Sequence, residues 1–247
     1  MGGKAGTTSG ESPDDGLEER MDAVLDSMES AVNYNDWVVS LFAPYLLGPI
    51  CEVGAGTGTI TERIATSGDV IALEPSSIGV RKLNERFEGV DGITVVQGTA
   101  TDLAPASVNS VVLSNVLEHI EDDEGTLKSI FDALSPGGHL MVFCPAFMFL
   151  YTDFDRSIGH VRRYRLRELE VKVRAAGFEI CERRYVNPLG AIAWFIVGKV
   201  LRRPQTESGL VRIWDRLVVP MTRVVERRIR FPFGQSVLVV GQKPVNS

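Results

Sequence analysis

Two groups of residues in this chain have types and spacings that suit chemistry. One is Glu52-Val53-Gly54-Ala55-Gly56-Thr57-Gly58, an acid followed by three alternate glycines, with a second acid, Glu74, 20 residues beyond Gly54. Glycines there let the backbone approach a ligand closely, because no Cβ stands in the way and positive φ costs little. A helix N-terminus just beyond them offers unpaired N–H groups to a polar or anionic group. A carboxylate at the end of the following strand can accept both hydroxyls of a ribose. The other group is Asp155, Gly159-His160 and Arg162-Arg163-Tyr164. His160 or Asp155 can take a proton from an acceptor, and the two arginines can fork onto its carboxylate or phosphate. The same residues also read as an internal network in which Asp155 pairs with Arg162 or Arg163, since buried charges must pair.

These groups need elements to position them. The apolar run up to Val53, the glycines, and then Ile60, Ile64 and Ala65 at helical spacing read as strand, tight turn, helix. Asp69–Leu73 is a second strand, which Pro75 prevents from continuing. Ser77–Phe87 reads as a helix, Gly92–Gln97 as a strand and Val108–Leu113 as a fourth strand. Asp122–Leu134 is an amphipathic helix stopped by Ser135-Pro136-Gly137-Gly138, and His139–Cys144 is the fifth strand. Leu166–Ala175 is a helix, Phe178–Val186 the sixth strand and Gln235–Gly241 the last. Ligands of such sheets sit outside the carboxyl ends of the strands, which puts Asn115, Glu118 and His119 at the mouth of a site. His119 there reads either as a structural group or as a substrate contact.

The spacing narrows the cofactor. The dinucleotide fingerprint G-x-G-x-x-G needs glycine or alanine at position 59, where Thr59 stands. The E-x-G-x-G-x-G run instead resembles motif I of the class I S-adenosylmethionine (AdoMet) dependent methyltransferases. Leu117-Glu118-His119-Ile120, and a helix ending in L-x-P-G-G before an apolar strand, are similar to further marks of that family. The D-x-x-x-G-H-x-R-R-Y stretch from Asp155 to Tyr164 resembles one of its subgroups. The resemblance covers residues 33–186 and the last strand.

It implies an α/β, doubly wound, seven-stranded and mostly parallel sheet of Rossmann-like type, with the last strand antiparallel. The implied cofactor is AdoMet, with Glu52, Gly54, Ala55, Gly56 and Gly58 around its methionine part, Glu74 on its ribose and Asn115 at its edge. Family members commonly have an Asp directly after the glycine that follows the third strand. Thr99 stands there instead, which leaves the Thr99 hydroxyl, the Ala100 N–H or Asp102 as the adenine contact. A helix over Asn33–Leu46 would close over the site, with Tyr34 and Trp37 either covering cofactor and acceptor or simply packing. Arg162, Arg163, Tyr164, His119 and Tyr34 are thus the candidate acceptor contacts, and His160 and Asp155 the candidate catalytic pair. The implied reaction is methyl transfer to an O or N atom of a small molecule with apolar and anionic parts. A peptide, protein or lipid-linked acceptor and a non-catalytic AdoMet-binding module are the alternatives, and an NAD oxidoreductase is disfavoured.

Between the sixth and last strands lies a long insert, residues 187–234. Leu189–Leu201 is nearly all apolar yet too short to span a bilayer. Val211–Ile229 sets Arg212, Arg216, Arg223, Arg227 and Arg228 beside Trp214, Leu217, Val218, Val224 and Val225, with a kink expected near Pro220. Such a helix can lie on a membrane through 188–230, cover a hydrophobic acceptor, form a homodimer contact or pack on its own domain.

A chain of 247 residues, 44% hydrophobic, can bury one sizeable core with a modest extra lobe. We expect a tail over 1–16, a polar helix over Asp14–Met28, and one domain over 17–247. Of the 26 Lys/Arg, 19 lie in residues 151–247, against 9 of the 32 Asp/Glu. That basic C-terminal part suits an anionic acceptor or surface. The net charge of −6 and the lack of a lysine-rich face or aromatic stacking platform argue against nucleic acid. Cys51, Cys144 and Cys181 have no ligand spacing and read as buried thiols of a cytoplasmic protein. No zinc spacing, Walker sequence or nucleophile elbow is present, and no metal is expected.

Overall fold

The computed structural model describes residues 24–25, 28–200, 212 and 214–246. The expected tail and most of the expected helix Asp14–Met28 lie outside the described residues. Seven strands, β1 (Ile50–Val53), β2 (Val70–Glu74), β3 (Ile93–Gln97), β4 (Val108–Ser114), β5 (Leu134–Pro145), β6 (Glu179–Val186) and β7 (Ser236–Gln242), form one sheet in the order β3-β2-β1-β4-β5-β7-β6. β1 to β5 pair in parallel, and β7 runs antiparallel to both β5 and β6. The helices are α1 (Val32–Phe42), α2 (Thr59–Ile64), α3 (Ser77–Arg86), α4 (Asp123–Ala133), α5 (Asp153–Ser157), α6 (Leu166–Ala175), α7 (Pro188–Trp194) and α8 (Val219–Glu226). This is the doubly wound class I methyltransferase fold that the sequence leads one to expect.

The central strands are apolar on both faces because helices cover both. Along β4, β5 and β7, Val111, Leu113, Leu140, Val142, Val237 and Val239 pack with Leu127 and Ile130 of α4 and Leu169 and Val173 of α6. The alternate residues Val112, Met141, Phe143, Leu238 and Val240 pack with Trp37, Val38 and Phe42 of α1. This period of two keeps the register, since a one-residue slip would exchange the two faces. Phe42 and Phe143 are fully buried, each stabilising the fold by roughly 1.5–3 kcal/mol.

β5 starts at Leu134 rather than His139, because Leu134 pairs with Val108 and the Gly137–Gly138 turn exchanges backbone hydrogen bonds with Lys243. Cys51 and Cys144 are buried, but Cys181 is exposed, since β6 is an edge strand.

The insert begins where β6 ends. The Asn187 N–H donates to Glu226 Oε1 at 2.6 Å and its Nδ2 to Gln235 Oε1 at 2.8 Å, while the Gln235 N–H donates to the Asn187 carbonyl at 3.0 Å. Gly234 lies so close to the Val186 backbone that a Cβ would not fit. α7 is shorter than the expected helix, and a π-helical turn, Phe195–Val200, continues it. Another π-helical turn, Trp214–Val218, precedes α8, and Pro220 lies in the first turn of α8, where its missing N–H goes unneeded. Residues 201–211 and 213 lie outside the described residues. Asp215, itself buried, accepts from the N–H groups of Asn33 and Tyr34 at 3.1 and 2.8 Å. It thereby caps the first turn of α1 from across the chain and fastens the insert to the domain.

Candidate functional site

At the carboxyl ends of β1 and β2 the glycine turn closes on Glu74. Gly54, Gly56 and Gly58 have φ of 70°, 55° and 81°. A Cβ on Gly58 would come within 2.6 Å of the Phe87 ring, so both backbone and packing require glycine there. The Ala55 N–H donates to the Leu73 carbonyl at 3.1 Å. Glu74 is buried, and its two oxygens accept from the Gly56 N–H and the Ser76 N–H, each at 3.0 Å. Each oxygen keeps a further lone pair, so a fixed carboxylate stands beside the turn, able to accept from paired hydroxyls. Glu52 lies beneath the turn and accepts from the Thr61 hydroxyl. Burial pushes its carboxyl up to about 8, a shift that Thr61 opposes and Glu74 reinforces.

After β3 the chain makes a 3₁₀ turn, Ala100–Asp102. The Thr99 N–H and hydroxyl both donate to Asp102 Oδ2, at 2.8 and 3.0 Å, and draw that carboxyl below its ordinary value. Both Thr99 donors are therefore committed within the turn, and Ala100 is buried at its start.

At the end of β4, Asn115 has φ of 54° and its side chain is exposed at the sheet edge. A short 3₁₀ turn, Leu117–His119, then places Glu118 and His119 against the segment that follows β5. His119 packs edge-on to His160, with ring centroids 4.6 Å apart. His160 Nδ1 lies 2.9 Å from Asp155 Oδ1, and its Nε2 lies 3.8 Å from Glu118 Oε1. Glu118 is fully buried, and neither of its oxygens has a hydrogen-bond partner. Burial pushes its carboxyl up to about 8, against the pull of its own backbone N–H and of Arg163. Burial, with His160 alongside, lowers His119 to about 4, although its ring N–H donates to the Gly159 carbonyl.

The sequence left two readings open, Asp155 as a base with Arg162, Arg163 and Tyr164 on the acceptor, or an internal network with Asp155 paired to Arg162 or Arg163. The structure forms the network: Asp155, Arg163 and Tyr164 are buried, and the half-buried Arg162 is paired at its rim. Asp155 is fully buried in α5. Its Oδ1 receives Arg163 Nε and Nη2, both at 2.7 Å, as well as His160, and its Oδ2 receives the Thr152 N–H and hydroxyl. Burial alone would raise this carboxyl, but His160, Arg163 and Thr152 together hold it below its usual range. With every lone pair occupied, it orients His160 rather than serving as a free base. Arg163 also lies 5.0 Å from the Trp194 ring centroid. Arg162 binds Asp123 at 2.8 Å and the Glu121 carbonyl. The buried Tyr164 hydroxyl donates toward Asp123 at 2.8 Å, with the Leu117 carbonyl at 3.3 Å. Pairing is the condition for burying such groups. The residue types were visible in the sequence, but the direction in which they point was not.

Tyr34 is half-buried, its ring edge-on to Phe143 at 6.5 Å, in the same cluster as Trp37. Burial pushes its hydroxyl up to about 12, against a hydrogen bond with Ser236, and Glu118 is close enough to add to the rise. Trp37 is a core residue, 2% exposed. Met148 and Phe149 are exposed where the chain leaves β5, and Trp194 Nε1 donates to the Leu150 carbonyl at 3.0 Å, joining α7 to this loop. Glu118 is the group that sequence reasoning left without a role: its acid at the mouth was legible, its complete burial was not.

Residues 51–142 match a family model described as a methyltransferase domain. A ubiquinone biosynthesis O-methyltransferase of Idiomarina loihiensis is 30% identical over 96 residues, 37% of this chain and 40% of that protein. A demethylmenaquinone methyltransferase of Renibacterium salmoninarum is 32% identical over 94 residues, 38% and 39% of the two chains. The chain spans about two fifths of the length of these curated relatives. Among solved structures, a SAM-dependent methyltransferase from Thermotoga maritima is 20% identical with a TM-score of 0.58, covering 87% of this chain and 92% of the other. At that identity the likeness speaks for the fold.

Proposed function

We propose, from the methyltransferase-domain match of residues 51–142, that the chain is a class I AdoMet-dependent methyltransferase that moves the AdoMet methyl group to an O or N atom of a small molecule. The carrying observation is the Glu74 carboxylate, fixed between the Gly56 and Ser76 N–H groups beside the glycine turn. In this reading Glu74 takes the ribose hydroxyls. Glu52, Gly54, Ala55, Gly56 and Gly58 enclose the methionine part, Thr99 and Ala100 border the adenine and Asn115 lies at the cofactor edge.

AdoMet supplies an activated methyl, so the protein's work is alignment of acceptor, methyl carbon and sulfur. The acceptor heteroatom attacks the methyl carbon as the S–C bond breaks, and sulfur keeps the electron pair, leaving S-adenosylhomocysteine. The acceptor proton goes to His160 Nε2, the ring nitrogen left free when Asp155 holds Nδ1. His119 packs against that imidazole, Tyr34 is assigned to the acceptor, and Arg162, Arg163 and Tyr164 keep the walls in place.

The acceptor has an apolar body. Met148, Phe149, Leu189 and Ile192 are exposed around the route from β5 to α7, and two relatives are named for ubiquinone biosynthesis and demethylmenaquinone. Exposed Leu217, Met221 and Val224 beside Arg216 and Arg223 favour a lipid-linked acceptor reached through peripheral contact of 188–230 with a membrane. No described helix is long and apolar enough to cross one. A cytoplasmic location, a single domain over 17–247 and self-association through the insert belong to the same proposal.

Calorimetric titration with AdoMet, S-adenosylhomocysteine and NADH tests the cofactor. Micromolar binding of the first two, weakened in Glu74→Ala, with NADH silent, is the expected result; tight NADH binding without AdoMet would overturn it. Screening candidate acceptors for a mass gain of one methyl then separates an enzyme from a binding module.

A further inference from the structure

Where His160 and Glu118 meet, the structure offers more than a base. We infer that Glu118, His119 and His160 bind a divalent transition-metal cation, and that this cation ligates the acceptor heteroatom. One ligand atom from each of the three residues lies within 4.8 Å of the others. Atoms about 2.1 Å from a common ion stand roughly 3–4 Å apart, so the 3.8 Å between His160 Nε2 and Glu118 Oε1 already fits.

Three independent features point to an ion. Both Glu118 oxygens are buried and no other residue donates to them, although buried carboxylate oxygens are normally satisfied. Both imidazoles have a second hold, His160 Nδ1 on the Asp155 carboxylate and the His119 ring on the Gly159 carbonyl. That is the support metal-binding imidazoles characteristically have, and in His160 it leaves Nε2 on the side of Glu118. Finally, two imidazoles and one carboxylate suit zinc and its neighbours and leave a coordination position open.

The chemical consequence rests on the methyl-transfer reading, whereas binding of the ion does not. With the ion bound, Nε2 would be a ligand rather than the base, and the acceptor proton would pass to solvent. Held by Glu118, His119 and His160, such an ion would lower the pKa of the acceptor hydroxyl and orient its oxygen toward the methyl group.

The test uses untagged full-length protein stripped with a chelator and titrated with Co²⁺, followed by visible absorption. One equivalent is expected, with binding lost in Glu118→Gln and His119→Gln and weakened about 10–100-fold in Asp155→Asn, while Glu74→Ala binds as wild type. Unchanged AdoMet affinity in either ligand variant shows that the variant is folded. Absence of Co²⁺ uptake by the stripped wild type, or equal uptake by both ligand variants, overturns the site. Methyl transfer that persists unchanged in stripped protein overturns ligation of the acceptor but leaves the transferase reading intact. Co²⁺ binding in a protein that binds no AdoMet has the reverse meaning: the site stands and the transferase reading fails.

Discussion

Asp155 Oδ1 lies 2.9 Å from His160 Nδ1 and 2.7 Å from Arg163 Nε, so one carboxylate both orients the imidazole and neutralises a buried guanidinium. The two duties are separable by substitution. Asp155→Asn keeps the shape but weakens the hold on His160. We expect kcat to fall about tenfold or more, with AdoMet affinity unchanged. Asp155→Ala strands Arg163, which is 3% exposed, and should cost about 3–5 kcal/mol in urea unfolding. Equal stability of Asp155→Ala and wild type would refute this ion-pair account.

Glu74 makes a prediction at the cofactor. Glu74→Ala removes the acceptor for two backbone N–H groups and the ledge for the ribose, so AdoMet affinity should drop about 10–100-fold, the equivalent of about 1.5–3 kcal/mol. Calorimetry reads this directly, and an unchanged dissociation constant would place the sugar elsewhere.

Stability should depend on pH with a definite sign. Glu52 and Glu118 titrate at about 8 when folded, above their ordinary 4.5, so the folded state holds more protons than the unfolded between those values. Their contribution is full below pH 4.5 and lost as pH rises toward 8. His119, lowered to about 4, acts in the opposite sense, but only below 6.5. Between pH 6.5 and 8 the two glutamates therefore dominate these three groups, and chelator-treated protein should lose about 1.4 kcal/mol per pH unit for each while it titrates. Glu118→Gln should flatten that slope, as measured by denaturant unfolding across the window.

Asp215 should act as a cap at long range. Asp215→Ala leaves the Asn33 and Tyr34 N–H groups without their acceptor, at a cost of about 1–2 kcal/mol. Because the same side chain holds the insert against α1, limited proteolysis of the variant should cut within residues 199–214 sooner than in wild type.

Membrane contact predicts charge dependence. Wild type should co-sediment with vesicles containing anionic lipid, less so at high salt. Met221→Asp, at a position 65% exposed, should reduce co-sedimentation without loss of stability. Binding that is insensitive to this substitution would locate the contact elsewhere.

Much of the fold was legible because its strands are continuous apolar runs and its helices have apolar faces. The antiparallel last strand followed from the family resemblance. What escaped was whatever depends on distant partners. Asp215 caps a helix 181 residues away, and His119 and His160 meet only because α5 brings the loop after β5 back onto the end of β4. Local spacing of the zinc-finger kind cannot reveal such a pair. Arg162, Arg163 and Tyr164 announced a polar cluster, yet only the buried Asp123 and Asp155 decide that it faces inward.

The insert leaves and rejoins the sheet at one point. Val186 pairs with Ser236, and Asn187 is hydrogen-bonded to Gln235. A segment whose two ends are already clasped can vary in length at little entropic cost, since each doubling of a flexible loop adds only about 0.6 kcal/mol. The ends of β6 and β7 thus stay paired whatever length of chain separates the insert's own anchors, Trp194, Asp215 and Glu226. Length can therefore change between those anchors without parting the two strands, whereas the anchors themselves are tied to the rest of the domain.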